Sequence, residues 1–333
     1  VDSSSRRETW MSETEAADFL ATVPFFHGRD DADLVELARA LRRRTVSQGE
    51  ILWRQGDVAR ELVVVVDGDL SMTLSVPGER AVEIGQAGPG DIVGEIGLLD
   101  GGEHTMTVQA TQPATLLVFG RHDFNALLTR PDRSAFELKR RLALQLAGRL
   151  RNQLAQLGRT LGGEVSAADQ DCGRPLVDLE PSGPPDSRYL SRMAVFHDLD
   201  PVALWGFLTS GSYAICPPGS TVLEEGTRST ACYLTINGAV EKVLIRGDRR
   251  VRVGLAGPGK AFGYEGLIDD RPSPVTAITR ERTLLLVLTR GPFEQLFGRE
   301  DTIARVFLDV LLRDLVSNLR LTLRPHARLL SSV

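Results

Sequence analysis

Apolar and polar positions along this chain follow two periods, and the places where one gives way to the other outline its elements. Leu34, Leu37, Ala38 and Leu41 recur at helical spacing, as do Phe136, Leu142, Leu146, Leu150, Leu154 and Leu157 over a longer stretch. Between them lie short apolar runs, 61–66 and 115–119, punctuated by glycines, the pattern of strands joined by tight turns. The same order returns later in the chain. Residues 202–208 read as a helix, further glycine-punctuated runs follow, and Ile303, Val306, Phe307, Val310, Leu311 and Leu315 mark another helix.

The recurrence holds residue by residue. Phe26-His27 returns as Phe196-His197, Gly49 as Gly219, Gly56 as Gly226 and Gly68 as Gly238, each pair 170 apart. Gly88-Pro89-Gly90 then returns as Gly257-Pro258-Gly259, Leu117-Val118 as Leu286-Val287 and Phe124 as Phe293, all 169 apart. One deletion in a strand connection accounts for the slip, and two homologous domains follow. The expected fold is α+β, mainly β, with two β-roll (jelly-roll-like) domains each flanked by helices. The expected boundaries are a flexible N-terminus over 1–12, a first domain over 13–157, a linker over 158–187, a degenerate second domain over 188–325 and a tail over 326–333. The linker reading rests on Gly162-Gly163, Gly173, Pro175 and the run 181–185, which lack periodicity.

Composition narrows the function. Thirty-nine Lys plus Arg against 44 Asp plus Glu leave a net charge of -5, without the basic footprint of a duplex-binding protein. Cys172, Cys216 and Cys232 show neither a CxxC spacing nor a neighbouring His pair, so neither a disulfide frame nor a zinc site is expected. No apolar run approaches the roughly 18 residues a membrane span needs, and no signal core opens the chain. A cytoplasmic protein is expected. A Gly-x-Ser-x-Gly elbow, a His-Glu-x-x-His pair and a P-loop are all missing from the sequence, so no enzyme is expected.

Several pieces in fixed order resemble the cyclic-nucleotide-binding domain superfamily, whose familiar members are catabolite activator protein and the regulatory subunit of protein kinase A. They are Gly49-Glu50, Gln55-Gly56-Asp57, Asp67-Gly68, Gly88-Pro89-Gly90-Asp91, Gly94-Glu95-Ile96-Gly97-Leu98-Leu99 and Thr107-Val108-Gln109-Ala110. The resemblance implies a phosphate seat at Gly94, Glu95, Ile96 and Gly97. There a glycine lets an anion near the backbone and a helical turn offers N–H groups to it. It further implies that Glu95 accepts from a ribose hydroxyl and that an Arg nine residues later pairs with the phosphate. That position is His104, followed by Thr105 in the small hydroxyl slot. Losing a charged hydrogen bond of roughly 1.5–3 kcal/mol weakens binding about ten- to a hundredfold. A free His titrates near about 6.5, so affinity is expected to rise as pH falls. In the second copy Tyr264 takes the Glu slot and Ser273 the Arg slot, leaving Gly263, Glu265 and Ser273 as a degenerate site.

No cofactor is expected, and the candidate ligand is cyclic AMP or another cyclic nucleotide. The expected role is a ligand-sensing or adaptor protein in regulatory signalling, with a protein partner or a homodimer and no direct nucleic acid contact. A helix-turn-helix of about seventy residues would have to follow the last helix, where only about ten residues remain. The competing reading is a scaffold that has kept the roll and lost the ligand. Arg42-Arg43-Arg44 reads as a solvated basic face.

Overall fold

The computed structural model describes residues 12–78, 80–162, 180–186, 193, 196 and 200–331. The chain divides into two units, Val1–Thr73 with Glu83–Leu138 and Leu74–Val82 with Lys139–Val333. In the first, helices α1 (Glu13–Thr22) and α2 (Asp31–Ala40) lead into β1 (Leu41–Val46), β2 (Ile51–Trp53), β3 (Glu61–Asp67) and β4 (Leu70–Leu74). Then come β5 (Val82–Ala87), β6 (Ile92–Val93), α3 (Glu95–Leu99), β7 (Thr107–Ala110), β8 (Ala114–Gly120), α4 (Arg121–Thr129) and the start of α5 (Arg133–Leu161), whose residues from Lys139 onward belong to the second unit. Two four-stranded antiparallel sheets result, in the orders β1-β8-β3-β6 and β2-β7-β4-β5.

The continuous apolar run in β3 follows from burial on both faces, which leaves no polar face to alternate with. Val63 and Val65 point into the roll with Val46, Trp53, Leu116 and Val118. Leu62, Val64, Leu117 and Phe119, between them in register, are buried as well, and Phe119 meets Phe124 of α4 edge-on at 5.8 Å. Opposite Thr115, the pairing of β3 slips past Val66 in a bulge, and the chain turns at Gly68 with φ +88°. A Cβ there would lie 2.6 Å from Ala114 Cβ, so only glycine fits.

The second unit repeats this order. Its elements are β9 (Glu180–Ser182), α6 (Pro201–Leu208), β10 (Ser212–Cys216), β11 (Thr221–Leu223), β12 (Ala231–Asn237), β13 (Val240–Arg246) and β14 (Arg249–Ala256). They continue with β15 (Ala261–Phe262), α7 (Glu265–Ile268), β16 (Thr276–Thr279), β17 (Thr283–Thr289), α8 (Arg290–Gly298) and α9 (Thr302–Ser331). The sheets run β15-β12-β17-β10-β9 and β11-β16-β13-β14. The change of offset falls in the hairpin after β13, where Gly247-Asp248 makes a two-residue turn in place of the longer connection between β4 and β5.

Three boundaries differ from the sequence reading. Helix α5 continues to Leu161, so residues 158–161 are helix and not linker, and residues 180–182 form a strand, because Glu180, Pro181 and Ser182 pair with β10 at the sheet edge. The proline tolerates this because an edge strand leaves one N–H side unpaired. Residues 163–179 and 187 of the expected linker, 1–11 of the expected flexible N-terminus and 332–333 of the expected tail lie outside the described residues, as do Cys172 and His197. The expected tail continues helix α9 to Ser331, with Pro325 inside it. Leu142, Leu146, Leu150, Leu154 and Leu157 are 0–3% exposed, so this ladder is core and offers no open seam to a second subunit. Arg42-Arg43-Arg44 lies in β1, where Arg44 pairs with Glu50 and Glu61. Among the described residues no helix is long and apolar enough to cross a membrane.

Burial in the second unit has a titration consequence. Tyr213, whose hydroxyl donates to Leu208 O at 3.0 Å, and Tyr233 are both pushed up to about 12 by desolvation. A phenol ionises near about 10 in the unfolded chain, so stability is intact below that pH and declines as pH rises toward the folded value. Denaturant midpoints measured near about pH 9 and about pH 11 should fall between the two, and Tyr213→Phe and Tyr233→Phe should each flatten the fall. An equal fall in both variants would place the loss elsewhere.

Candidate functional site

The turn from β6 into α3 is built by steric exclusion. Gly94 adopts φ +100°, and a Cβ there would lie 3.0 Å from Glu61 O and 3.1 Å from Trp53 Cη2. β3 and an indole behind it thus require the glycine on their own, where the sequence reading had given a ligand in front as the reason. Gly97 is required in the same way, since its Cβ would meet Ala59 Cβ at 2.5 Å. Glu95 and Ile96 are buried, at 1% and 7% exposure.

The segment after α3 is strapped to the β2–β3 connection. His104 N donates to Asp57 O at 2.8 Å, Gly56 N donates to His104 O at 2.9 Å, and Ala59 N donates to Gly102 O at 3.1 Å. These bonds pull the His104 ring inward. It is 5% exposed and stacks flat on Trp53, with centroids 4.1 Å apart and 8° between planes. Thr105 next to it is half-buried.

An open cleft of about 430 Å³ lies on this stack, lined by Leu52, Trp53, Asp57, Val58, Arg60, Glu61 and His104. Its volume is within the range of small-molecule sites. Of the expected ligand residues only His104 lines it; Gly94, Glu95, Ile96, Gly97 and Thr105 do not. Glu61 is engaged by Arg44 at 3.3 Å, whereas the Arg60 side chain is exposed at the cleft wall. Sequence reasoning missed both Trp53 and Arg60. A tryptophan in a strand otherwise made of aliphatic residues was the available signal for the first.

The second roll is filled at each corresponding position. Where Val63 faces Val93 across β3 and β6, Tyr233 faces Phe262, and the two rings stack at 5.1 Å. Where the first roll has Glu95, Tyr264 is fully buried and its hydroxyl donates to Asp314 of α9 at 2.6 Å. Gly263 keeps the positive φ, +79°, for the same reason as Gly94, with Ala231 O at 3.0 Å from a Cβ. The expected second-site residues turn inward. Ser273 Oγ donates to Val275 O at 2.8 Å, and Glu265 is 2% exposed with its carboxyl pushed up chiefly by burial. Arg151 of α5 covers this turn, donating to the Asp269 carboxylate and to Pro272 O.

A family model described as the cyclic nucleotide-binding domain matches residues 43–130 and 214–300. A cyclic nucleotide-gated potassium channel from Mesorhizobium japonicum is 35% identical over 129 residues, 39% of this chain and 34% of that protein. The cyclic AMP receptor protein of Thermus thermophilus is 31% identical over 123 residues, 37% of this chain and 57% of its own length. The chain thus spans less than two thirds of either relative. A solved N-terminal domain of a Streptomyces coelicolor transcriptional regulator is 31% identical, with a TM-score of 0.36, covering 40% of this chain and 92% of that one.

The two glycine constraints can be separated by substitution. Gly101→Ala, at φ +68° with open space around it, should cost about 1 kcal/mol of stability through the backbone alone. Gly94→Ala, at φ +100° against Glu61 O and Trp53, should cost about 2–4 kcal/mol. Urea titration of the two variants measures the difference, and equal losses would mean that the neighbours of Gly94 yield freely.

Proposed function

Because the chain belongs to the cyclic nucleotide-binding domain family, with two copies of the domain in tandem, we propose that the first roll is its ligand-binding unit and that the second has become a ligand-free regulatory partner. The observation that carries this reading is the contrast at one cross-strand pair: Val63 and Val93 in the first roll, stacked Tyr233 and Phe262 in the second. The ligand proposed is a cyclic nucleotide, held weakly. The Trp53–His104 pair gives the cleft an aromatic lining for a base to meet, and aromatic contacts contribute about 0.5–1.5 kcal/mol beyond burial. Arg60 on the cleft wall supplies the fixed cation that position 104 lacks.

Binding at this site acts as a signal only through two states of different affinity, the ligand shifting the population between them. The role that fits is a sensor or adaptor whose output passes to a protein partner. One feature favours the competing scaffold reading, namely that Glu95 is already buried.

Calorimetry on the full chain with cyclic AMP and cyclic GMP separates the readings. At a hundred times the dissociation constant a bound nucleotide should add about 2.7 kcal/mol of stability. Arg60→Ala should weaken binding about tenfold, while His104→Arg should strengthen it by a similar factor. A rise in affinity between about pH 7.5 and about pH 6 that His104→Arg abolishes would give the imidazolium's share. Absence of binding in both the parent chain and His104→Arg would leave the scaffold reading.

A further inference from the structure

The polar residues buried between α9 and the second roll converge on a single atom. Asp314 Oδ2 accepts from the Tyr264 hydroxyl at 2.6 Å and from the Asn318 amide at 2.7 Å, and lies 3.5 Å from the Lys242 ammonium. None of the four residues exceeds 4% exposure. An oxygen that receives three donors acts as a pure acceptor, the behaviour of an ionised carboxylate.

Apolar residues would have docked this helix at less cost. Leu311, Leu315 and Leu319 on α9 are 0–3% exposed, and leucines at 314 and 318 would extend that face without desolvating two charges. The charged set adds directional binding of an anion by donors from the sheet and from the turn before α7. Room is made for it: a Cβ at Gly254 on β14 would lie 2.6 Å from Lys242 Cε and 3.1 Å from Asn318 Oδ1. At the corresponding positions the first copy has Met72, Glu95, Gln145 and Arg149, which cannot form such a set.

We propose that Asp314 serves the second roll as a built-in anion, seated on Lys242 and Tyr264, and that it fastens helix α9 over the roll in the absence of any ligand. The other charged groups nearby agree with this. Burial pushes the Glu265 carboxyl up and Lys242 draws it part of the way back, while the Lys242 ammonium lies 3.5 Å from Asp314 Oδ2. Arg151, which also acts on Glu265, is occupied by Asp269 through two bonds of 2.6 and 2.9 Å. Burial, above all, pushes the Cys232 thiol well up. Whether the first roll binds a nucleotide has no bearing on this seat.

Removing the carboxylate should expose an anion site and loosen the helix together. In full-length Asp314→Ala, amide exchange over residues 302–323 should quicken by tenfold or more while β12 and β17 stay protected, and sodium acetate should reverse this saturably where sodium chloride at equal ionic strength does not. The double variant Lys242→Met/Asp314→Leu should keep the helix protected and ignore acetate. Unchanged exchange in Asp314→Ala, or an acetate effect no greater than that of chloride, would overturn the proposal. Should Asp314→Ala fail to fold, Asp314→Asn keeps the shape and removes the charge. Faster exchange confined to α9 then supports the seat, and exchange equal to that of the parent chain refutes it.

Discussion

The interior of each roll is governed by how closely its shortest strand approaches the central one. Strand β6 contributes only Ile92 and Val93, so the Val63–Val93 pair decides how much of the space beside α3 is occupied. Exchanging two valines for Tyr233 and Phe262 fills that space with stacked rings. Tyr264 is driven to full burial, its hydroxyl then needs a partner, and α9 supplies one. In the first roll the same neighbourhood holds Trp53 and His104 and stays open on one side.

The polar chemistry of the two rolls differs for the same reason. A buried phenol and a buried ammonium are tolerable only with partners of matching geometry, and Asp314 satisfies both at once. In the first roll Met72 and Glu95 stand where the second has Lys242 and Tyr264, and backbone bonds tie 56–59 to 102–104.

Much of the architecture was legible in the sequence, because the signals that encode it are local. Glycines at Gly68 and Gly238, Gly94 and Gly263 mark positive φ, and the constant offset between copies carries the fold from one to the other. The site was legible only in part. Position 104 stood out because an arginine was missing, yet nothing adjacent in the chain indicates that its ring lies on Trp53, fifty-one residues earlier. Arg60 was invisible for the same reason, since a lone exposed arginine has no pattern. Asp314 and Asn318 did leave a trace, a polar pair at i, i+4 on the apolar face of an amphipathic helix, and Lys242 is one of three lysines in the chain. The strand at 180–182 left none, because pairing at a sheet edge depends on a partner distant in sequence.

The division between the units falls inside α5, after Leu138, and not in the proline- and glycine-rich stretch that separates the two copies of the pattern. The repeated stretch and the compact unit therefore do not coincide. The second copy has kept its own closing helix and also taken in residues 139–161 of the first, which gives it two helices of ancestral equivalence where the first unit retains only an opening turn. A gene cut between the repeats would return the shared helix to the first copy and strip it from the second. In such a chain, inheritance and packing draw different borders.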